Sequence, residues 1–263
     1  MVDQLVDEHK PLPYILGNQP FHPLPVPLLV RPPTLIPRPE TEHWLSHLSS
    51  LFLSISSPSS AKRPLRMLDI GTGTGCIPLS LAYSLSSHYR IRAIGVDQSS
   101  QAVSLARENT ARCQLEACVK IIQADLFEDT FAKRVKRGLG HEGLEGFDLV
   151  VSNPPYITRA DFANLPPSVK AWEDRRALVG ERVGQDSIDD GLIFYDKILS
   201  ILSSVLDNKL KTSGSRLPVL AFEVGSGQAQ EVAKRIRETG LGLGSDVVKD
   251  QWGIERLVLG YRL

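Results

Sequence analysis

Asn153-Pro154-Pro155-Tyr156 places a carboxamide, two rigid prolines and an aromatic ring in four consecutive positions. That combination suits the grip of a flat NH2 group. The carboxamide oxygen of Asn153 and the carbonyl of Pro154 can each accept one N–H of such a group. Pro154 has no N–H to compete, and both prolines stiffen the turn. The Tyr156 ring can pack against the plane of the ligand. A nitrogen held by both its hydrogens presents its remaining lone pair in a fixed direction. The apolar run at 147–152 reads as a buried strand, which puts the quartet at a strand's C-terminal end.

Three further segments carry residues of the same promise. Asp69-Ile70-Gly71-Thr72-Gly73-Thr74-Gly75 leaves a strand and enters a helix. Glycines there let the backbone approach a ligand closely, although a tight turn without ligand uses the same residues. The dinucleotide fingerprint needs glycines at 71, 73 and 76, and position 76 is Cys76. Asp97 ends the next strand, where a carboxylate accepts two hydrogen bonds from ribose hydroxyls; an Asx turn or helix cap is the competing use. Asp125 ends the third strand and can accept from an exocyclic adenine amine, with Leu126 or Phe127 packed on the ring; an aspartate starting a loop is the alternative. In a doubly wound sheet these strand ends line one crevice together with Asn153.

The elements that must position these residues alternate. The spacing predicts strands over 65–70, 91–96, 118–122, 147–152 and 217–224, and a final pair at 247–248 and 254–259. It predicts helices over 40–53, 76–86, 99–112 (capped by Ser99 or Ser100), 192–206 and 228–239. The serine-rich 54–62 reads as a loop, and 131–146, with Lys133, Arg134, Lys136 and Arg137, as a charged surface excursion. Ten prolines in 11–39 rule out a long helix there and leave room for short edge strands or a hairpin around 28–30. The expectation is an α/β fold: a doubly wound, mostly parallel seven-stranded sheet with a short proline-rich N-terminal hairpin segment.

The chain of 263 residues holds thirty basic and thirty acidic residues, so no global field steers it to nucleic acid or a membrane. No apolar run approaches a membrane span. The acidic start, Met1 to Glu8, resembles neither a secretory signal nor a transit peptide. Cys76, Cys113 and Cys118 have no zinc-like spacing and the six histidines are scattered, so no metal site is expected, and a reducing compartment is.

Hydride chemistry has no particular need for Asn-Pro-Pro-Tyr, whereas methyl transfer from S-adenosylmethionine to a planar nitrogen does. The four motifs together resemble class I S-adenosylmethionine-dependent N-methyltransferases, whose targets are adenine N6 or glutamine N5. The upstream segment Arg31-Pro-Pro-Thr-Leu-Ile-Pro-Arg38-Pro-Glu40-Thr41-Glu42 resembles the hallmark of the PrmC/HemK family, which methylates the glutamine of the Gly-Gly-Gln motif in peptide-chain release factors. Pro13 to Gly17 with Phe21, Trp172-Glu173, Arg176-Ala-Leu178, Asp190-Gly-Leu192, Glu223 and Trp252-Gly253 with Glu255-Arg256 resemble further blocks of that family, and the likeness covers about 11–262. Asp174 stands where the family has proline, and 180–188 looks like an insertion. The look of the lead-in is that of the eukaryotic mitochondrial branch, which implies a mitochondrial location, or otherwise the cytoplasm.

The resemblance implies that Gly71, Thr72, Gly73, Thr74 and Gly75 hold the methionine end of the cofactor, Asp97 the ribose, and Asp125 with Leu126 the adenine. It implies that Asn153, Pro154, Pro155 and Tyr156 hold the glutamine and carry catalysis by positioning, which is worth about 7–11 kcal/mol in the best cases. Arg38 and Glu40 would help place the substrate, or pair with each other to fix the proline-rich segment. Glu173 would support the site or serve as an ordinary ion-pair partner. The family carries a helical docking domain before the proline-rich segment, and only about ten residues stand in its place here; residues 1–39 read as its remnant or linker, with the methyltransferase domain over 40–263. The expected partner is a release factor met by a monomer, without direct nucleic-acid binding. Adenine-N6 methylation and non-catalytic cofactor binding are the other readings.

Overall fold

The computed structural model describes residues 2–54, 63–140, 146–181, 190–207 and 217–263. Most of the expected loop at 54–62, residues 141–145 of the charged segment and most of the expected insertion at 180–188 lie outside the described residues.

Short helices α1 (Val2–Val6) and α2 (Leu12–Leu16) precede a two-strand ladder of β1 (Asn18–Gln19) antiparallel to β2 (Leu28–Leu29), the expected hairpin. Helix α3 (Pro39–Leu53) opens on a proline, where a missing N–H costs nothing. The chain then alternates: β3 (Leu65–Ile70), α4 (Cys76–Leu85), β4 (Ile91–Asp97), α5 (Ser100–Arg112), β5 (Val119–Gln123), α6 (Phe131–Gly138) and β6 (Leu149–Ser152). The short helices α7 (Arg159–Ala163), α8 (Pro167–Lys170) and α9 (Arg175–Leu178) follow, then α10 (Ile193–Val205), β7 (Pro218–Glu223), α11 (Ala229–Arg237), β8 (Leu243–Lys249) and β9 (Glu255–Arg262).

Seven strands form one sheet in the order β5-β4-β3-β6-β7-β9-β8. The first five run parallel, and β9 is antiparallel to both β7 and β8. The order reverses between β3 and β6, so their C-terminal ends flank the crevice where ligands bind in this architecture. All six residues of β3 are buried because helices cover both faces. Leu65 and Met67 face the core under α3, α4 and α5, whereas Leu68 and Ile70 face the core under α6, α10 and α11.

Two sequence expectations need correction. The charged 131–146 segment is not a surface excursion along its length, because α6 is a crossover helix packed on the sheet. Phe131, Val135 and Leu139, spaced four apart, are buried against it, and the basic residues occupy the outer side. The last two strands are also longer than expected. Their ladder pairs Leu243 with Arg262 and runs to Lys249 and Glu255, because backbone bonds across a hairpin carry half-exposed polar positions that an apolar run does not mark.

The proline-rich segment is anchored. Tyr14, Val30 and Ile36 form a small core with Trp172, and the Tyr14 hydroxyl donates to the Thr34 carbonyl at 2.7 Å. The Asp174 N–H donates to the Pro33 carbonyl at 2.7 Å. Buried Asn109 of α5 completes the attachment. Its oxygen accepts from the Leu29 N–H at 2.7 Å, and its amide donates to the carbonyls of Leu29 and Thr74 at 3.1 and 2.9 Å.

At the opposite end of the sheet, the buried Arg66 guanidinium is shared between Asp148, at 2.9 Å, and Asp207. Arg63 reinforces Asp148 at 3.0 Å. Arg66→Met removes the cation that bridges Asp148 and Asp207 and leaves Asp148 with Arg63. The expected cost is about 3–5 kcal/mol, read as a drop in the urea midpoint at unchanged slope. A change below about 1 kcal/mol would show that the carboxylates do not depend on Arg66.

Candidate active site

The crevice at the reversal point is a cleft enclosing about 890 Å³ of empty space, its open mouth included. That is room for a nucleoside-sized ligand. Gly71 and Gly73 after β3, Asp97 at the end of β4, Asp125 and Leu126 after β5, and Asn153, Pro154 and Pro155 after β6 all line it. Four strand ends therefore converge as doubly wound topology requires.

The glycine turn is held from two sides. Gly71 and Gly73 take φ of 78° and 54°, values that side-chain-bearing residues avoid. The N–H groups of Gly71 and Thr72 both donate to the Val96 carbonyl at 2.9 Å. One Asp97 oxygen accepts from the Gly73 N–H at 2.9 Å and the other from the Ser99 N–H at 2.9 Å. Asp97 thus makes an Asx turn ahead of α5 and still lines the cleft, where each oxygen keeps a lone pair for a ligand. Its pKa is raised by burial, against the pull of those two backbone donors. Thr72 and Thr74 are buried beneath the turn and, like Gly75, do not line the cleft.

Asp125 accepts from the Phe127 N–H at 2.9 Å, which fixes the start of its loop. Leu126 lines the cleft, but Phe127 packs edge-on against Phe194 with centroids 5.3 Å apart, and Phe194 is the ring that reaches the lining.

The Asn-Pro-Pro-Tyr segment is locked at both ends. The Ser152 hydroxyl donates to the Ile70 carbonyl at 2.6 Å, tying the ends of β3 and β6 together. The Tyr156 carbonyl accepts from the Gln228 amide at 3.0 Å. A Cβ on Gly191 would stand 2.1 Å from that same carbonyl, so only glycine fits there. The half-buried Tyr156 ring does not line the cleft. It faces Glu223, Arg256, Arg38 and Glu40, and burial pushes its phenol pKa up. Arg38 and Glu40 therefore gather beside Tyr156 rather than in the cleft wall. Arg38 is paired with buried Glu173, not with Glu40, so the possible Arg38–Glu40 pair is replaced by one spanning 135 positions.

The cleft wall also takes residues from segments that the sequence marks by resemblance alone. Pro33, Thr34 and Leu35 of the proline-rich segment form part of the cleft wall, as do Asp174 and Arg176. Asp69 heads the glycine motif from inside β3. It is 1 % exposed and neither carboxylate oxygen has a hydrogen-bond partner. Burial raises its pKa to about 7; the nearby Thr72 hydroxyl pulls it down, although it makes no hydrogen bond of good geometry to Asp69, and the Asp97 charge raises it further. A buried acid with no hydrogen-bond partner at the foot of a glycine turn is matched by a cationic ligand group. The ammonium of S-adenosylmethionine has that chemistry, so the residues present fit this cofactor.

Comparison with known proteins agrees with the geometry. Residues 61–204 match the family model described as a methyltransferase domain. A release factor glutamine methyltransferase of Geobacter sulfurreducens is 35% identical over 253 residues, covering 96% of this chain and 74% of that protein. The enzyme of the same name from Fusobacterium nucleatum is 33% identical over 252 residues, covering 96% of this chain and 60% of that one. The human MTRF1L release factor glutamine methyltransferase is 35% identical over 202 residues, covering 75% of this chain and 55% of that one. The chain thus spans little more than half the length of the last two. Among solved structures, the N-terminal domain of human METTL16 in complex with SAH superposes with a TM-score of 0.55 at 17% identity, covering 89% of this chain and 75% of that one, a likeness of fold alone. The choice between adenine and glutamine families, open on the Asn-Pro-Pro-Tyr element alone, is decided by these relatives: the chain belongs to the release factor glutamine methyltransferase family of S-adenosylmethionine-dependent enzymes.

Proposed function

We propose that this chain transfers the methyl group of S-adenosylmethionine to the side-chain nitrogen of the glutamine in the Gly-Gly-Gln motif of a peptide-chain release factor, and so supports translation termination. The observation that carries the reading is the convergence of Asn153, Pro154 and Pro155 on the same cleft as Gly71, Gly73, Asp97 and Asp125. S-adenosylmethionine supplies an electrophilic methyl on a sulfonium centre. Asp69 and the glycine turn would hold its amino-acid end, Asp97 the ribose, and Asp125 with Leu126 the adenine.

The chain's own residues work by orientation. An amide nitrogen is a weak nucleophile because its lone pair is delocalised into the carbonyl. The Asn153 oxygen and the Pro154 carbonyl accept the two N–H groups of the substrate and fix the direction of its lone pair. Asn153 does not titrate and is an orienter, not a base. The walls at Pro33 to Leu35 and Phe194 keep water from the reacting groups. Arg38, Glu40 and Tyr156 form the outer edge that receives the substrate loop. The release factor is met by a monomer, in the mitochondrion if the likeness of the proline-rich lead-in holds. No helix among the described residues is long and apolar enough to cross a membrane.

Methyl-labelled S-adenosylmethionine and purified release factor test the reading. Label is expected in the Gly-Gly-Gln glutamine and is lost when that glutamine is changed. Label in RNA or DNA instead would overturn it. Asn153→Ala is expected to lower kcat by about 100-fold or more, the scale of deleting one transition-state hydrogen-bond group, at nearly unchanged cofactor affinity.

The raised pKa of Asp69 gives a pH test. The free protein holds Asp69 protonated below about pH 7, and a bound ammonium favours the ionised form. Cofactor binding therefore releases a proton below that pH. Calorimetry is expected to show affinity falling up to about tenfold from pH 7 to pH 6, and Asp69→Asn to flatten the profile. A wild-type profile as flat as that of the variant would remove Asp69 from the cofactor site. In the free protein the same shift has the opposite sign for stability. The neutral acid contributes fully below the unfolded value of 3.8, and that contribution is lost as pH rises through about 7.

A further inference from the structure

Glu223, Thr41 and Asn153 form a chain of hydrogen bonds whose direction is dictated by chemistry. Glu223 ends β7 and is 1 % exposed. Its Oε2 accepts from the Trp44 indole N–H at 2.7 Å, and Thr41 Oγ1 lies 2.5 Å from the same oxygen. Trp44 can only donate, so Oε2 is an acceptor, and the Thr41 hydroxyl donates to it in turn, pulling the Glu223 pKa down against the rise that burial causes. The single hydroxyl proton of Thr41 is therefore committed to Glu223. Only lone pairs are left on Thr41 Oγ1, so the group that meets it must be a donor.

That group is the side-chain amide of Asn153, with Nδ2 at 3.4 Å. The distance is long for a hydrogen bond, as is common at sites that tighten when substrate enters. A carboxamide with its NH2 turned toward Thr41 has its oxygen turned away, and Asn153 lines the cleft. Reversal would set NH2 against the NH2 of the substrate, donor against donor, and leave Thr41 facing a second acceptor without a proton to share. Two residues that touch no ligand thus choose which end of the Asn153 carboxamide meets the substrate.

We infer that Thr41 is a positioning residue for methyl transfer: its hydroxyl, held by Glu223, sets the Asn153 carboxamide with its oxygen toward the substrate NH2 group. The inference rests on the amide-methylation reading above, and the experiment separates the two. Methyl transfer to release factor is measured for the wild type, Thr41→Ser, Thr41→Val, Asn153→Ala and the Thr41→Val/Asn153→Ala pair, with cofactor affinity measured by calorimetry. Thr41→Val keeps shape and removes the hydroxyl, so kcat is expected to fall by about tenfold or more with cofactor affinity within about twofold. Thr41→Ser restores the hydroxyl and is expected to stay within about threefold of wild type. In the Asn153→Ala background, Thr41→Val is expected to add nothing, because its only route to the reaction has gone. Wild-type kcat in Thr41→Val, an equal loss in Thr41→Ser, or losses that multiply in the pair each overturn the inference while the methyl-transfer reading stands. Should valine unfold the protein, Thr41→Cys, of similar volume and with a weaker donor, takes its place: an intermediate kcat supports the role and an unchanged one overturns it. A wild-type chain without transfer overturns the reading and the inference together.

Discussion

A carboxylate buried at the end of a strand has to be met by donors. For Glu223 the donors come from α3, 179 and 182 positions earlier in the chain. The requirement fixes more than one pair of atoms. Thr41 and Trp44 are three residues apart on one helical face, so satisfying both sets the rotation and the height of α3 on the sheet. Once α3 is placed, Arg38 just before it reaches Glu173, and the segment ahead of it lies along the cleft wall. The Tyr195 hydroxyl donates to the Glu223 carbonyl at 2.8 Å, so α10 on the other face is registered to the same residue. A single desolvated acid thus aligns both helical layers around the end of β7.

Asp97, Asp125 and Asp174 line the cleft, and Asp69 is buried on the strand that leads into it. Asp69, Asp97 and Asp125 stand at the ends of three adjacent strands. Desolvation raises the first two, and the charge of Asp97 raises Asp69 further. Arg176, which lines the cleft and carries its own partner in Asp174, pulls Asp97 in the other direction. A pocket with this excess of carboxylate selects a positively charged guest, and both the sulfonium and the ammonium of S-adenosylmethionine answer it. Nicotinamide dinucleotides, with two phosphates at the glycine turn, would meet repulsion there.

How much of this was legible in the sequence depends on range. The strands at 65–70 and 91–97 and the helix after Ser99 follow from local pattern and capping: Ser99 accepts from the Ala102 N–H at 3.3 Å, as an N-cap serine does. The glycine turn, Asp97 and Asn153 were legible because each ends a strand with a residue type strands disfavour. Asp69 was not, because a lone acid inside an apolar run shows its isolation only when its neighbours are known. Helix α6 was missed because four basic residues outweighed the Phe131, Val135 and Leu139 stripe between them. The Arg38–Glu173 pair and the partners of Glu223 lie more than a hundred positions apart, and spacing says nothing about such distances.

Asn109 clamps the N-terminal ladder with both ends of its amide, and its NH2 group also holds the glycine turn at the Thr74 carbonyl. The two attachments share one rigid side chain on α5, so order in one is order in the other. Thermodynamic linkage then works in both directions. Whatever steadies the β1–β2 ladder steadies the glycine turn, and whatever steadies the turn steadies the ladder by the same factor. A protein docked on the N-terminal segment would be felt in the cofactor cleft through one carboxamide.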